Sequence, residues 1–371
     1  MPISRIGIEM YRSIRDLDLK LGPVTVVVGP NGSGKSNLYR AMRLLHAGAA
    51  GRLAETFAEE GGMPSALYAG PKTRHEIREV RLAVEVDMDA FHFRLACGLP
   101  TPRETLFTLD PEVKEEDLGV HVAERKRAVP LVERRNHVLT TRADDGGRQI
   151  ASTEIDRSES MLSQIGDPRQ WPEMAMVRHL LLSWRFYHQF RCEPESPLRQ
   201  SRIGVYSPIL AHDGANLAAV LQTIRELEKD REPALDPAIE AAFPGCRMEI
   251  VSDSRGSLTV NWRQPGIYRP LDVRELSDGT LRYLCLIAAL LTPKPPPLIV
   301  LNEPESSLHP DLLPALANLI VVASARTQIL VTTHATLLAD RISERTGINP
   351  LRLRFDRGQT TIVSERGLLR N

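Results

Sequence analysis

Apolar residues fall in short runs whose period changes along the chain. Ile3 to Met10 and Leu17 to Leu21 read as two short strands separated by Arg12-Ser13-Ile14-Arg15. Val24-Thr25-Val26-Val27-Val28 is a β-branched run of the kind that forms a strand covered on both faces. A glycine-rich loop follows, and Asn37 to His46 carries helical spacing. Residues 48–75, rich in Gly, Ala and Glu, predict an irregular or partly helical surface segment. From Val80 the period drops to two, in Val80-Arg81-Leu82-Ala83-Val84-Glu85-Val86 and again in Phe91-His92-Phe93-Arg94-Leu95, predicting antiparallel strands with one wet face. Gly119 to Ala123, Ala128 to Glu133 and His137 to Arg142 continue as strands, with Asp144-Asp145-Gly146-Gly147 as a turn.

Pro172 to Phe190 predicts a helix, and prolines at 194, 197 and 208 mark an irregular stretch before a helix from Asn216 to Asp230. Met248 to Val251 and Ser257 to Trp262 form a hairpin pattern around Ser254-Arg255-Gly256. The last third alternates element types. Thr280 to Leu291 is helical, Leu298 to Leu301 a buried strand, Leu312 to Ala323 a helix, and Gln328 to Thr332 a buried strand. Thr336 to Ile342 is a short helix, and Leu351 to Phe355 with Thr360 to Ser364 closes as a hairpin around Arg357-Gly358. Alternation of this kind predicts an α/β fold with a parallel sheet covered by helices.

Composition narrows the class without naming a partner. The 371 residues carry 47 basic and 47 acidic side chains, so net charge does not announce a nucleic acid. The four cysteines are scattered, with no paired spacing, which argues against a zinc site or disulfide framework and for a reducing, cytoplasmic setting. The start, MPISRIGIEMYRS, lacks a signal-peptide core, and the longest apolar stretch, around Leu284 to Leu291, is too short for a bilayer.

Four motifs carry chemistry. Gly29-Pro30-Asn31-Gly32-Ser33-Gly34-Lys35-Ser36 matches GxxxxGK[ST] between a strand and a helix that continues through Asn37. Its glycines let backbone N–H groups face a phosphate, Lys35 bridges the β- and γ-phosphates, and Ser36 ligates Mg²⁺. Leu298-Ile299-Val300-Leu301-Asn302-Glu303-Pro304-Glu305 is a Walker B pattern, a strand bringing acidic residues to the metal and the attacking water. Glu303 is its general base. Asn302 stands at the first acidic position and supplies an amide oxygen without charge. Arg274-Glu275-Leu276-Ser277-Asp278-Gly279-Thr280-Leu281 opens a helix, with Ser277 or Asp278 as its N-cap. Ile329-Leu330-Val331-Thr332-Thr333-His334 is a buried strand ending in a histidine.

In this order the motifs resemble those of the ATP-binding-cassette (ABC) ATPases. The opening Ile6-Gly7-Ile8-Glu9-Met10-Tyr11-Arg12-Ser13-Ile14 resembles the strand entry of the SMC, RecF and OLD-like branch. NEPESSLHP, residues 302 to 310, is similar to the AAA15/AAA21-type, RecF-like ATPases. The stretch between Lys35 and Ser277 is far longer than in a transporter ATP-binding subunit, the reading that fits least. The resemblance implies a P-loop NTPase, an ABC-ATPase head with a mixed or parallel central sheet, an antiparallel β lobe and a helical lobe. Residues 1–371 then form a single head: 1–160 as the N-terminal lobe, 161–270 as an inserted helical and β region, and 271–371 as the signature, Walker B, D-loop and switch-histidine portion.

The resemblance also implies a homodimer formed on binding ATP and Mg²⁺. Ser277 and Gly279 then act on the γ-phosphate held by the other protomer, and His334 is the switch histidine. Ser306 to Pro310 stands at the D-loop. A Q-loop glutamine joins the nucleotide and metal ligands, with Gln164 as first candidate and Gln189 as second. Arg12 and Ser13 either approach the nucleotide or serve the surface. Only 37 residues follow His334, too few for the Toprim nuclease domain of OLD-family proteins, and no SMC-type coiled coil is present, so a bare head is expected. The processes implied are DNA repair, chromosome maintenance or anti-phage defence, with DNA and a protein partner of such a complex as further candidates and no membrane. The competing reading is a slow-turnover regulatory switch. Under that reading Arg125-Lys126-Arg127, Arg134-Arg135, Arg142 and Arg148 form a phosphate-contacting ridge, although interspersed acids make a solvated hairpin face the favoured explanation.

Overall fold

A computed structural model describes residues 1–78, 80–101, 105–122, 128–142, 147–228, 233–364 and 367–368. The elements, in chain order, begin with β1 (Ile3–Tyr11), β2 (Ile14–Lys20), β3 (Val24–Val28), α1 (Lys35–Ala50), α2 (Leu53–Glu59), α3 (Met63–Ala66) and α4 (Arg74–Arg78). There follow β4 (Arg81–Met88), β5 (Phe91–Gly98), β6 (Glu112–Val120), β7 (Val129–Arg135), β8 (Val138–Arg142), β9 (Arg148–Ser152), α5 (Met161–Gln164), α6 (Pro172–Ser183) and β10 (Arg185–Tyr187). The remainder runs β11 (Arg202–Ile203), α7 (Leu217–Leu227), α8 (Leu235–Ala242), β12 (Arg247–Ser252), β13 (Ser257–Arg263), β14 (Leu271–Asp272), α9 (Asp278–Leu290), β15 (Leu298–Asn302) and α10 (Leu313–Ser324). It ends in β16 (Gln328–Thr333), α11 (Thr336–Thr346), β17 (Leu351–Asp356), β18 (Gln359–Ser364) and β19 (Gly367–Leu368).

The chain divides into two units, one of residues 1–22, 29–184 and 351–371, the other of residues 23–28 and 185–350. Helices α5 and α6 belong with the first unit because both pack against α1.

The first unit is built on an antiparallel sheet in the order β2-β1-β4-β5-β6-β7-β8-β9. Alternation sets its two faces: in β4 and β5 the residues Val84, Val86, Phe93 and Leu95 are buried. Strand β6 extends well upstream of the expected Gly119 because Glu112 and Glu116 are buried carboxylates that hide its periodicity. Glu116 is answered by Arg134 Nη1 at 3.0 Å, Ser160 Oγ at 2.5 Å and the Met161 N–H at 2.8 Å. Burial pushes the Glu116 carboxyl up, against these donors. Arg134, fully buried, also donates to the carbonyls of Asn136, Asp156 and Glu159. This removes Arg134 from any surface ridge, and Arg135 and Arg148 are paired with Asp117 and Glu133. Arg142 is exposed, whereas Arg125, Lys126 and Arg127, and most of the expected turn at 144–147, lie outside the described residues.

The second unit contains four parallel strands in the order β10-β15-β16-β3. Strands β3 and β15 are buried at every residue, as their apolar runs require. Helix α9 buries nine residues and is apolar on nearly every side, so it runs inside this unit's core with Leu316, Ile320 and Val331. A small antiparallel sheet, β11-β13-β12 with β14 paired to β13, lies beside α7 and α8. Strand β10 corrects the helix expected to reach Phe190: α6 stops at Ser183, and Arg185 to Tyr187 pair with Ile299 to Leu301.

Candidate functional site

The glycine loop closes the first unit's phosphate-binding candidate. Gly34 has φ 102°, a left-handed conformation that glycine tolerates, and it precedes Lys35, the first residue of α1. A Cβ on Gly34 would stand 2.2 Å from Thr360 Oγ1. Thr360 is buried and shares a short hydrogen bond of 2.7 Å with the Ser13 hydroxyl, which accepts from Asn37 Nδ2 at 2.8 Å. The loop is therefore held by two residues remote in sequence, and Ser13 serves its frame. Arg12 instead forks onto Glu60 at 2.9 and 3.2 Å.

Lys35 Nζ donates to the carbonyls of Gly29 at 2.7 Å and Pro30 at 3.1 Å, which bends the ammonium back over the loop. The first N–H groups of α1 lack intrahelical acceptors, as at every helix start, and Ser36 is exposed in that first turn. Pro30, Asn31 and Gly32 are exposed, while Ser33 is buried with a hydroxyl that meets no partner among the described residues. An exposed loop of this kind, with a folded-back ammonium and an orphan hydroxyl, fits a phosphate group.

In the second unit the tip of β15 gathers the polar residues. Asn302 is 1% exposed; its Oδ1 accepts from Thr332 Oγ1 at 2.5 Å and its Nδ2 donates to His188 Nδ1 at 2.6 Å. Glu303 follows with φ 51°, a left-handed conformation unusual for glutamate, and its N–H donates to the Thr332 carbonyl at 2.8 Å. This turns the Glu303 side chain off the strand direction. His334 Nδ1 lies 3.1 Å from Glu305 Oε1 and 3.9 Å from Glu303 Oε1. The same Glu305 oxygen accepts from Thr333 Oγ1 at 2.5 Å and from the His334 N–H at 2.9 Å. Glu305 is thus the residue that fixes the turn carrying His334, a role its place in the motif did not disclose.

The two glutamine candidates separate clearly. Gln164 ends α5, where its amide bonds to backbone at Asp156, Glu159 and Ser160. Helix α5 meets α1 beside Gly48 and Gly51, about 20–24 Å along the helix from Lys35 at ~1.5 Å per residue. The structure does not bring Gln164 to the glycine loop. Gln189, by contrast, is exposed just beyond β10 and lines one recess with His188, Glu303 and Ser306. His188 is the residue that sequence reasoning missed, since nothing but its place after a three-residue strand marks it.

Ser277 caps α9, its Oγ accepting the Thr280 N–H at 3.1 Å. Both Ser277 and Asp278 are exposed. A Cβ on Gly279 would lie 3.1 Å from the Ser307 carbonyl, so the glycine admits that close approach. Arg282, one turn on, donates to Ser306 O at 3.2 Å and Ser307 Oγ at 3.0 Å.

A strand-to-helix phosphate loop, a parallel sheet delivering Asn302-Glu303 and a capped LSDG helix define a P-loop ATPase. Residues 24–340 match the model of the AAA_21 family, described as "AAA domain, putative AbiEii toxin, Type IV TA system", and the chain belongs to that family. A 43-residue stretch is 44% identical to an OLD nuclease of Thermus scotoductus (strain ATCC 700910 / SA-01), covering 12% of this chain and 8% of that protein. The match thus spans a small fraction of the curated relative.

Among solved structures, the SMC head bound to the C-terminal winged-helix domain of ScpA aligns with a TM-score of 0.59 at 13% identity, covering 98% of each chain. An SMC head with an extended coiled coil, bound to the C-terminal domain of ScpA derived from Pyrococcus furiosus, aligns at 0.53 and 12% identity, over 98% of this chain and 96% of the other. The SMC head with a coiled coil and joint derived from Pyrococcus yayanosii aligns at 0.51 and 9% identity, over 98% and 97%. At such identities the likeness is one of fold: the chain has the mixed α/β P-loop fold of an SMC head. No described helix is long and apolar enough to cross a membrane.

Proposed function

We propose that this ATPase dimerises around two ATP molecules and hydrolyses them, acting in DNA repair, chromosome maintenance or anti-phage defence. The observation that carries the reading is the exposed start of α9, where Ser277 and Gly279 of the LSDG motif stand at a helix N-terminus, a place suited to an anion. In each site Lys35 and the loop N–H groups of one protomer hold the phosphates, and Ser277 and Gly279 of the other close over the γ-phosphate. Glu303 accepts a proton from the attacking water, and His334, held by Glu305, contacts the γ-phosphate. Ser36 and Asn302, with Gln189 rather than Gln164 as the Q-loop glutamine, supply hard oxygen donors that suit Mg²⁺. When bound, that ion neutralises phosphate charge.

The test replaces Glu303→Gln and measures molecular mass with and without ATP. Accumulation of an ATP-dependent dimer supports the reading, and a protein that stays at its nucleotide-free mass refutes it.

A second reading, a slowly turning ATP switch within a repair or defence complex, draws support from Asn302. That residue is buried, neutral and tied between Thr332 and His188. Adding duplex DNA or co-purified protein to the ATPase assay separates the two: a switch stays slow alone and changes with its partner.

A further inference from the structure

Arg199 is an arginine whose donors are directed almost entirely at one short segment. It lies within the irregular proline-marked stretch, it is 8% exposed, and no motif contains it. Its Nη1 donates to three successive-turn carbonyls, Val273 at 3.3 Å, Arg274 at 2.9 Å and Leu276 at 2.9 Å. Its Nη2 meets Asp278 Oδ1 at 2.7 Å, and its Nε donates to the Cys192 carbonyl at 2.6 Å. These acceptors bracket Ser277 on both sides. On its outer side the segment is held by local bonds, Arg269 to both Glu275 oxygens at 2.6 and 2.8 Å and the Ser277 cap on Thr280, whereas Arg199 reaches it from a stretch more than seventy residues earlier.

A buried guanidinium would satisfy its donors with any nearby carbonyls. Here four of the five contacts fall on residues 273–278, the turn that aims the first N–H groups of α9. The planar fork sets the direction of that turn as well as its distance, which a lysine could not do. The fifth contact anchors the fork to Cys192, in the segment that follows β10 and Gln189.

We propose that Arg199 is a positioning residue for the signature turn, fixing Ser277 and Gly279 in the orientation that closes the partner protomer's ATP site. The role rests on the two-nucleotide dimer. All three guanidinium nitrogens of Arg199 are engaged by the protein itself, so loss of the fork leaves ATP binding at Lys35 intact and lowers turnover. A misplacement of about 1 Å at a reacting group costs on the order of a hundredfold in rate.

The experiment compares wild type, Arg199→Lys and Arg199→Met, the last keeping a packed apolar stem, with thermal melts to establish that each variant is folded. Binding of the fluorescent probe mant-ATP and steady-state turnover are read separately. The expected result is mant-ATP affinity within about twofold of wild type and kcat lower by roughly a hundredfold. Mixed dimers then locate the defect. Arg199→Lys combined with Lys35→Ala regains turnover, because one site keeps an intact loop and an intact signature turn. A covalently tethered dimer of the Lys35→Ala/Arg199→Lys double variant with wild type does not.

Wild-type turnover in the folded Arg199 variants, while Glu303→Gln still dimerises with ATP, overturns the role of Arg199 alone. So does a loss of mant-ATP binding that parallels the loss of turnover, or a failure of the mixed dimer to regain turnover. Failure of Glu303→Gln to dimerise overturns the two-nucleotide reading, and this role with it.

Discussion

Replacing Asn302→Asp restores a carboxylate at the first acidic position of the Walker B strand and tests what the amide does there. The side chain is 1% exposed, so the new charge is buried. Thr332 still donates to it, but His188 now receives no N–H and must itself carry a proton on Nδ1 to keep the 2.6 Å contact. Burying a carboxylate costs several kcal/mol, offset by charge-assisted hydrogen bonds worth about 1.5–3 kcal/mol each. The balance is a net loss of roughly 1–3 kcal/mol, equivalent to about 2–12 °C in the melting temperature of a unit this size. Saturation with Mg²⁺ and ATP at about 100 times the dissociation constant returns about 2.7 kcal/mol. The melt is followed with and without Mg²⁺·ATP, and turnover is titrated with Mg²⁺. The expected variant is less stable alone, gains more from Mg²⁺·ATP than wild type does, and half-saturates at lower Mg²⁺. An Asn302→Asp protein that melts like wild type and gains no more from Mg²⁺ refutes the idea that this side chain faces the metal.

Gly34→Ala places a methyl 2.2 Å from Thr360 Oγ1 on a backbone with φ 102°, and should abolish mant-ATP binding. Gln189→Ala should lower turnover at least tenfold, whereas Gln164→Ala should leave it unchanged; the reverse pattern would return the Q-loop role to Gln164. Arg134→Met strips the partner from buried Glu116 and should cost about 3–5 kcal/mol in chemical denaturation. At Asp87, burial opposes ionisation, yet hydrogen bonds from His92 and Arg5 prevail and bring the carboxyl down to about 2. A depressed carboxyl stabilises the fold above its unfolded value of ~3.9 and loses that contribution as pH falls from there through about 2. Asp87→Asn should therefore narrow the stability gap to wild type over that acid window in a pH series of melts.

The sequence made β3, the glycine loop and the alternation of the last third legible, because each pairs an apolar period with a local stop signal. Strand β6 was harder to read, since a strand holding two buried glutamates has no apolar stripe until Arg134 is placed against it. Strand β10 was harder still. Three residues carry no period, and only the pairing with β15 distinguishes them from the end of α6. The proposed exchange of Gln164 for Gln189 as the Q-loop glutamine follows from the same strand, because Gln189 stands just beyond it. Arg12, open in the sequence between the nucleotide and the surface, is bound to Glu60, a partner 48 residues away. Side chains whose partners lie far along the chain are the ones that pattern alone misassigns.

The fit between Gly34 and Thr360 has a consequence for biosynthesis. The loop that recognises phosphate is translated within the first tenth of the chain, yet the hydroxyl pressed against it is made more than three hundred residues later. Strand β3, which leads into the loop, finds its neighbour β16 only in that same late stretch. Contacts of such separation carry a large loop-closure entropy and form slowly. During synthesis the motif is therefore present well before the residues that frame it.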